Sequence, residues 1–219
     1  MSYATHADLG GQTGQGAVTP EPEGAPFHAA WEARALALTL AMGATGSWNI
    51  DMSRAARETL PDYASLSYFQ IWLAALQKLV EARGLASADE IASGRMHEPA
   101  RPVTRVLAAG DVAAALARGT PTERQATTSP RFASGDHVRM RREMADHHTR
   151  LPAYARGRIG VVDRIHGVHV FADAHALGLG EQPQWLYTVR FDESELWPGR
   201  PPQRASVSVD AWEPYLEPT

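Results

Sequence analysis

At Arg131 the apolar period of this chain changes. Before it, hydrophobic residues recur at helical spacing, and after it they alternate. Two periods in separate halves predict an α+β chain, a helical amino-terminal half followed by strands. The strands are expected at His137–Arg141, Arg158–Ile165, Gln184–Phe191 and Ala205–Val209, with Gly, Pro and Asp between them. Short strands at such spacing predict a small antiparallel barrel or sandwich. The tail from Asp210 to Leu216 is expected to fold back, with Trp212, Tyr215 and Leu216 closing the barrel.

The stretch from Gly135 to Val162 organises this half. Alternation places Val138 and Met140 on one face, and His137, Arg139 and Arg141 on the other. Gly157 and Gly160 bracket the start of the next strand. Between the two strands lies His147-His148-Thr149-Arg150-Leu151-Pro152, a loop with a fixed proline, followed by a Tyr154 expected to be buried. A loop held at both ends by strands is a common seat for a functional side chain. From Arg131 to Arg164 there are eight arginines and four acids, in a chain of net charge −4. An anion is expected on this face, with Arg150 the first candidate to meet it.

In the amino-terminal half, residues 1–26 are rich in Gly and Pro and have no apolar period, so an extended arm is expected. It is either a loose tail or an arm that wraps a partner. Gly11 to Gly16 mimics a phosphate loop but follows no strand and opens no helix, which excludes that reading. A helix is predicted from Phe27 to Met42 with Gly43 as its stop. A second runs from Met52 to Leu60, capped by Asp51 and stopped by Pro61, with Arg54 on its first turn. Spacing alone makes Arg54 a solvated arginine. A third runs from Tyr68 to about Arg83, capped by Ser65 or Ser67 and stopped by Gly84. Its stripe of Tyr68, Trp72 and Leu76, widened by Phe69 and Leu73, is broad enough for burial on two sides. Tyr68 and Trp72 either line a pocket or belong to the core. Ser87 to Glu90 forms a capping box for a helix ending by Gly94, and Asp111 to Arg118 forms a short one stopped by Gly119. The helical domain is read as 27–120, residues 121–130 as linker, and 131–219 as the strand domain.

Several functions are disfavoured. The acidic balance argues against general nucleic-acid or anionic-membrane binding. No run of about 18 apolar residues offers a membrane span, and no secretory pattern opens the chain, so a cytoplasmic protein is expected. There is no cysteine, hence no thiolate ligand and no thiol nucleophile. Glu143 with His147 and His148, and the group His166, His169, Asp173 and His175, match no metal signature. No Gly-x-Ser-x-Gly elbow is present. Twenty of the 21 basic residues are arginine, Lys78 being the exception. Arginine and aromatic surface without chemistry of its own suits a partner subunit.

The residues carry a family resemblance. His148-Thr149-Arg150-Leu151-Pro152-Ala153-Tyr154-Ala155-Arg156-Gly157-Arg158-Ile159-Gly160 resembles the hallmark of the nitrile hydratase beta subunit. Asp8-Leu9-Gly10-Gly11 with Gly14 to Val18 is similar to that subunit's arm, and Phe27 with Trp31-Glu32 to its first helix. Tyr187-Thr188-Val189, Glu195-Leu196-Trp197 and the ending Val209 to Pro218 are similar to its strand domain. The resemblance covers nearly the whole chain and implies a small SH3-like β-barrel after the helical half. It departs at Glu58-Thr59-Leu60, where the family often has Glu-Arg-Met, and at His6-Ala7-Asp8, where a His-Asp pair is usual.

The resemblance implies a hydro-lyase that turns a nitrile and water into an amide. Its metal, a non-corrin Co(III) or a non-heme Fe(III), is held by a cysteine-rich loop of the alpha subunit, not by this chain. Two of those cysteines are oxidised, and two beta arginines hydrogen-bond their oxygens. By motif these correspond to Arg150 and to Arg54, in Trp48-Asn49-Ile50-Asp51-Met52-Ser53-Arg54. This replaces the solvated reading of Arg54. Tyr68 matches a pocket tyrosine that can donate to nitrile or water, with Phe69 and Trp72 shaping the substrate space. The expected partner is an alpha subunit, in a heterodimer or an α2β2 heterotetramer. The rivals are a thiocyanate hydrolase-like complex and a metallochaperone or activator of the alpha subunit.

Overall fold

The computed structural model describes residues 5–24, 26–200 and 205–219. Residues 1–4 and 25 of the expected arm lie outside the described residues. The described residues divide into two compact units, one up to Gly119 and one from Thr120 on.

In the first unit, residues 5–24 hold no helix or strand and are largely exposed. His6 N donates to Glu58 O at 2.7 Å. Helix α1 (Ala30–Ala44) starts later than expected and runs through Gly43. The start is set by Glu32, whose carboxylate turns back to accept from His28 N at 2.6 Å. Phe27, left outside the helix, packs its ring on Phe69 at 5.4 Å. Helix α2 (Ile50–Glu58) starts two residues before the expected Met52. Its cap is Asn49, whose Oδ1 accepts from Met52 N at 2.8 Å, and not Asp51. Asp51 lies inside the first turn and is buried.

Helix α3 (Tyr68–Ala82) follows Ser67, whose N donates to Gln70 Oε1 at 2.7 Å. It ends before Gly84, at φ +60, a value glycine adopts without strain. Helices α1 and α2 both pack on α3. Trp48, Ala56, Leu60, Ala75, Leu76 and Leu79 form the core between them. The rest of the unit has helix α4 (Ala88–Ser93), closed by the Ser87–Glu90 capping box, and α5 (Val112–Arg118).

The second unit is an antiparallel sheet of β1 (Glu123–Arg124), β2 (His137–Met140), β3 (Ile159–His169), β4 (Gln184–Asp192), β5 (Ser206–Trp212) and β6 (Leu216–Pro218). Short helices α6 (Ala172–Ala176) and α7 (Glu193–Leu196) join its long strands. The order is β5-β4-β3-β2-β6, with β1 pairing β3. Strand β1 falls in the segment read as linker. Alternation works as expected: Val138 and Met140 on β2, and Tyr187, Val189 and Phe191 on β4, are fully buried. Register sets Val162 opposite Val189, and Val189 opposite Val209, so one layer crosses three strands. Leu216 does return, pairing with Met140. The sheet is nevertheless open among the described residues, since β5 and β6 are its ends and are not bonded to each other. The helical half and the antiparallel sheet are as expected, and closure into a barrel is not seen among the described residues.

Candidate functional site

The Arg150 loop is pinned from below. Leu151 is 6% exposed and Ala155 fully buried, so both anchor the loop in the sheet's core. Pro152 precedes a single 3-10 turn, Ala153–Ala155. Tyr154, half-buried rather than buried, stacks on Trp197 at 5.9 Å. Arg156 Nη2 donates to Leu151 O at 3.1 Å. The guanidinium-bearing residue Arg150 itself is exposed.

Beneath the loop lies a polar network. The Tyr215 hydroxyl accepts from Arg150 N at 3.0 Å and from Thr149 Oγ1 at 3.2 Å. It donates to Asp173 Oδ1. Tyr215 is 5% and Asp173 4% exposed. Burial pushes the Asp173 carboxyl above its ordinary pKa, outweighing the Tyr215 hydroxyl that opposes the shift. Burial and the adjacent Asp173 raise the Tyr215 phenol. His147 Nδ1 stands 4.0 Å from Asp173 Oδ2. A cleft of about 260 Å³ opens beside them, lined by Arg141, Glu143, His147, Thr149, Asp173 and Tyr215 among others. Nothing in the sequence linked Tyr215 or Asp173 to Arg150, because the three are far apart along the chain.

The first unit assembles the aromatic candidates. Tyr68, at the first turn of α3, is 64% exposed. Its ring lies 5.1 Å from Phe69 and 5.5 Å from Trp72. Arg54 sits on α2, partly buried. One turn on, Arg57 lays its guanidinium 4.1 Å over the Trp72 ring. Arg57 was not singled out in the sequence, although three-residue spacing from Arg54 puts it on a neighbouring helical position. Arg54 and Arg150 belong to different units.

Metal-ligand chemistry is sparse. The His166, His169, Asp173 and His175 group is dispersed: His166 bonds Thr188 at 2.6 Å, His169 bonds Thr122 at 3.1 Å, and Asp173 serves Tyr215. Among the described residues no group of three or more His, Cys, Asp or Glu is placed to hold a metal ion. Among the described residues no helix is long and apolar enough to cross a membrane.

Comparison with known proteins agrees with the motifs. The family described as "Nitrile hydratase beta subunit, N-terminal" matches residues 3–148, and "Nitrile hydratase beta subunit, C-terminal" matches 121–218. The low-molecular weight cobalt-containing nitrile hydratase subunit beta of Rhodococcus rhodochrous is 36% identical, over 96% of this chain and 97% of that one. The cobalt-containing nitrile hydratase subunit beta of Pseudonocardia thermophila is 30% identical, over 96% and 94%. A thiocyanate hydrolase subunit alpha from Thiobacillus thioparus is 32% identical over 68 residues, 31% of this chain and 54% of that one. With both halves matched and relatives similar from end to end, this chain belongs to the nitrile hydratase beta subunit family.

Proposed function

We propose that Arg54 and Arg150 are cationic clamps for oxidised cysteine ligands of a metal centre that an alpha subunit carries. The chain is the beta subunit of a nitrile hydratase, a hydro-lyase complex that converts a nitrile to its amide. The observation that carries the clamp reading is the support under Arg150. Its backbone is held by a buried tyrosine, while its residue is exposed. A guanidinium grips two oxygens at once, and a fixed backbone keeps that grip in register.

The donor set agrees with a metal held elsewhere. This chain has no cysteine, and its candidate site residues are arginine and aromatic. Such residues fit the anionic oxygens around a metal, not the metal itself. When bound in the complex, the ion, cobalt as in the named relatives or iron, supplies Lewis acidity toward the nitrile. This chain's residues do the rest of the positioning. Arg54 and Arg150 hold the sulfur oxygens and restrain further oxidation. Tyr68 donates a hydrogen bond to the nitrile or to water. Phe69 and Trp72 shape the apolar side of the pocket.

The same reading makes residues 1–26 an arm around the partner, and the open sheet of the second unit an SH3-like fold. It also makes the assembly an αβ heterodimer, or its α2β2 dimer, in the cytoplasm. The test is co-expression with the cysteine-bearing alpha subunit and assay of amide formation. Arg54→Lys and Arg150→Lys each lower turnover about a hundredfold, as for loss of one oriented oxyanion donor, with the complex still assembling. Full turnover in both variants removes the clamp role. A second reading, a thiocyanate-hydrolysing complex, has the 68-residue match behind it. Turnover of thiocyanate in place of nitriles would favour it.

A further inference from the structure

Arg57 is a partly buried cation laid against an aromatic ring. Its guanidinium stacks on Trp72 at 4.1 Å. Nη2 donates to Ser53 Oγ at 3.1 Å. Nε is buried and has no hydrogen-bond partner. The adjacent Glu58 favours its charged form electrostatically. Burial pulls its pKa below the ordinary arginine value, and the neighbouring Arg54 pulls the same way. Arginine stays charged under such a shift. Holding a charge partly out of water is unfavourable, and stacking on an indole recovers only part of that.

The surroundings suggest what completes the charge. Tyr68, Phe69 and Trp72 form one aromatic surface, with rings 5.1 to 6.3 Å apart. The guanidinium caps the Trp72 end of it. An apolar surface ending in a half-buried cation fits a small molecule with an apolar middle and a carboxylate at its far end. We propose that Arg57 is a specificity-determining residue that favours nitriles bearing a carboxylate, which it pairs while the aromatic rings cover the spacer. This rests on the nitrile hydratase reading above and on Tyr68 and Trp72 lining the substrate space.

The experiment uses the co-expressed complex and two probes of one shape, meta-cyanobenzoate and benzonitrile. The readout is the ratio of their kcat/KM values. A charge-assisted hydrogen bond contributes about 1.5–3 kcal/mol, so Arg57→Met lowers the ratio at least about tenfold, chiefly through the KM of the charged probe. Arg57→Lys keeps part of the preference, and Arg57→Glu lowers it further than Met. Benzoate inhibits the wild-type complex competitively and inhibits Arg57→Met more weakly. An unchanged ratio overturns the proposal. So does loss of the alpha subunit from purified Arg57→Met, which makes Arg57 a docking residue for a partner's carboxylate. A wild-type complex that hydrates benzonitrile but not the charged probe overturns the proposal alone. One that hydrates neither overturns the nitrile hydratase reading with it.

Discussion

The Tyr215 hydroxyl stands between the Asp173 carboxylate and the backbone N–H of Arg150, donating to the first and accepting from the second. The loop's geometry thus depends on a side chain 65 residues away. Tyr215→Phe keeps the ring packing but removes that acceptor and leaves Asp173 without its buried donor. It should lower stability by about 1–3 kcal/mol, the range for an unsatisfied buried polar group. Thermal unfolding reads the loss. Hydrogen exchange should show faster opening at Thr149 to Leu151, and unchanged protection there would refute the pinning role.

Asp173 makes a pH prediction. Its folded pKa is raised by burial, so between the ordinary value of 3.8 and the raised one the folded chain binds more protons than the unfolded chain. This carboxyl's contribution is therefore largest at and below pH 3.8 and falls as pH rises through the folded pKa. Asp173→Asn removes the titration. The stability of wild type relative to Asp173→Asn should decline as pH rises through that window, measured by denaturant unfolding. A difference that grows with pH would reverse the sign and refute the assignment.

Gly160 faces β4 with no room for a side chain. A Cβ there would sit 2.6 Å from Val189 Cγ1, 2.8 Å from Phe191 Cε1 and 2.9 Å from Arg190 O. The last contact is backbone and cannot swing away. Gly160→Ala should destabilise the sheet by about 1–3 kcal/mol, as overpacking does. Wild-type stability in that variant would mean that β3 and β4 separate more freely than their pairing implies.

Asn49 caps the helix that carries Arg54. Its Oδ1 satisfies the Met52 N–H at 2.8 Å. Asn49→Ala should cost about 1 kcal/mol, while Asn49→Asp should keep most of the stability. Equal losses in both would show that the side chain serves some purpose other than capping.

Much of the fold was legible because local patterns report local geometry. Two-residue alternation put Val138 and Met140 on one face, which is the buried one, and Gly84 and Gly94 marked helix ends at φ +60 and +64. Motifs named Arg54, Arg150 and Tyr68 by resemblance. Three features were hidden. Asn49 and Asp51 are both able caps, and only the chain's path chose Asn49 and buried Asp51. The tail does fold back, but it pairs with β2 and leaves the sheet open among the described residues, a matter of topology rather than composition. The contacts of Tyr215 with Asp173 and of Arg57 with Trp72 join residues from different elements. The sequence by itself determined which faces are buried and where elements stop, because those depend on neighbours within a turn or a strand. Only the tertiary structure decided which buried hydroxyl holds the Arg150 loop and which cation is drawn over an indole, because long-range hydrogen bonds and desolvation arise when distant segments pack.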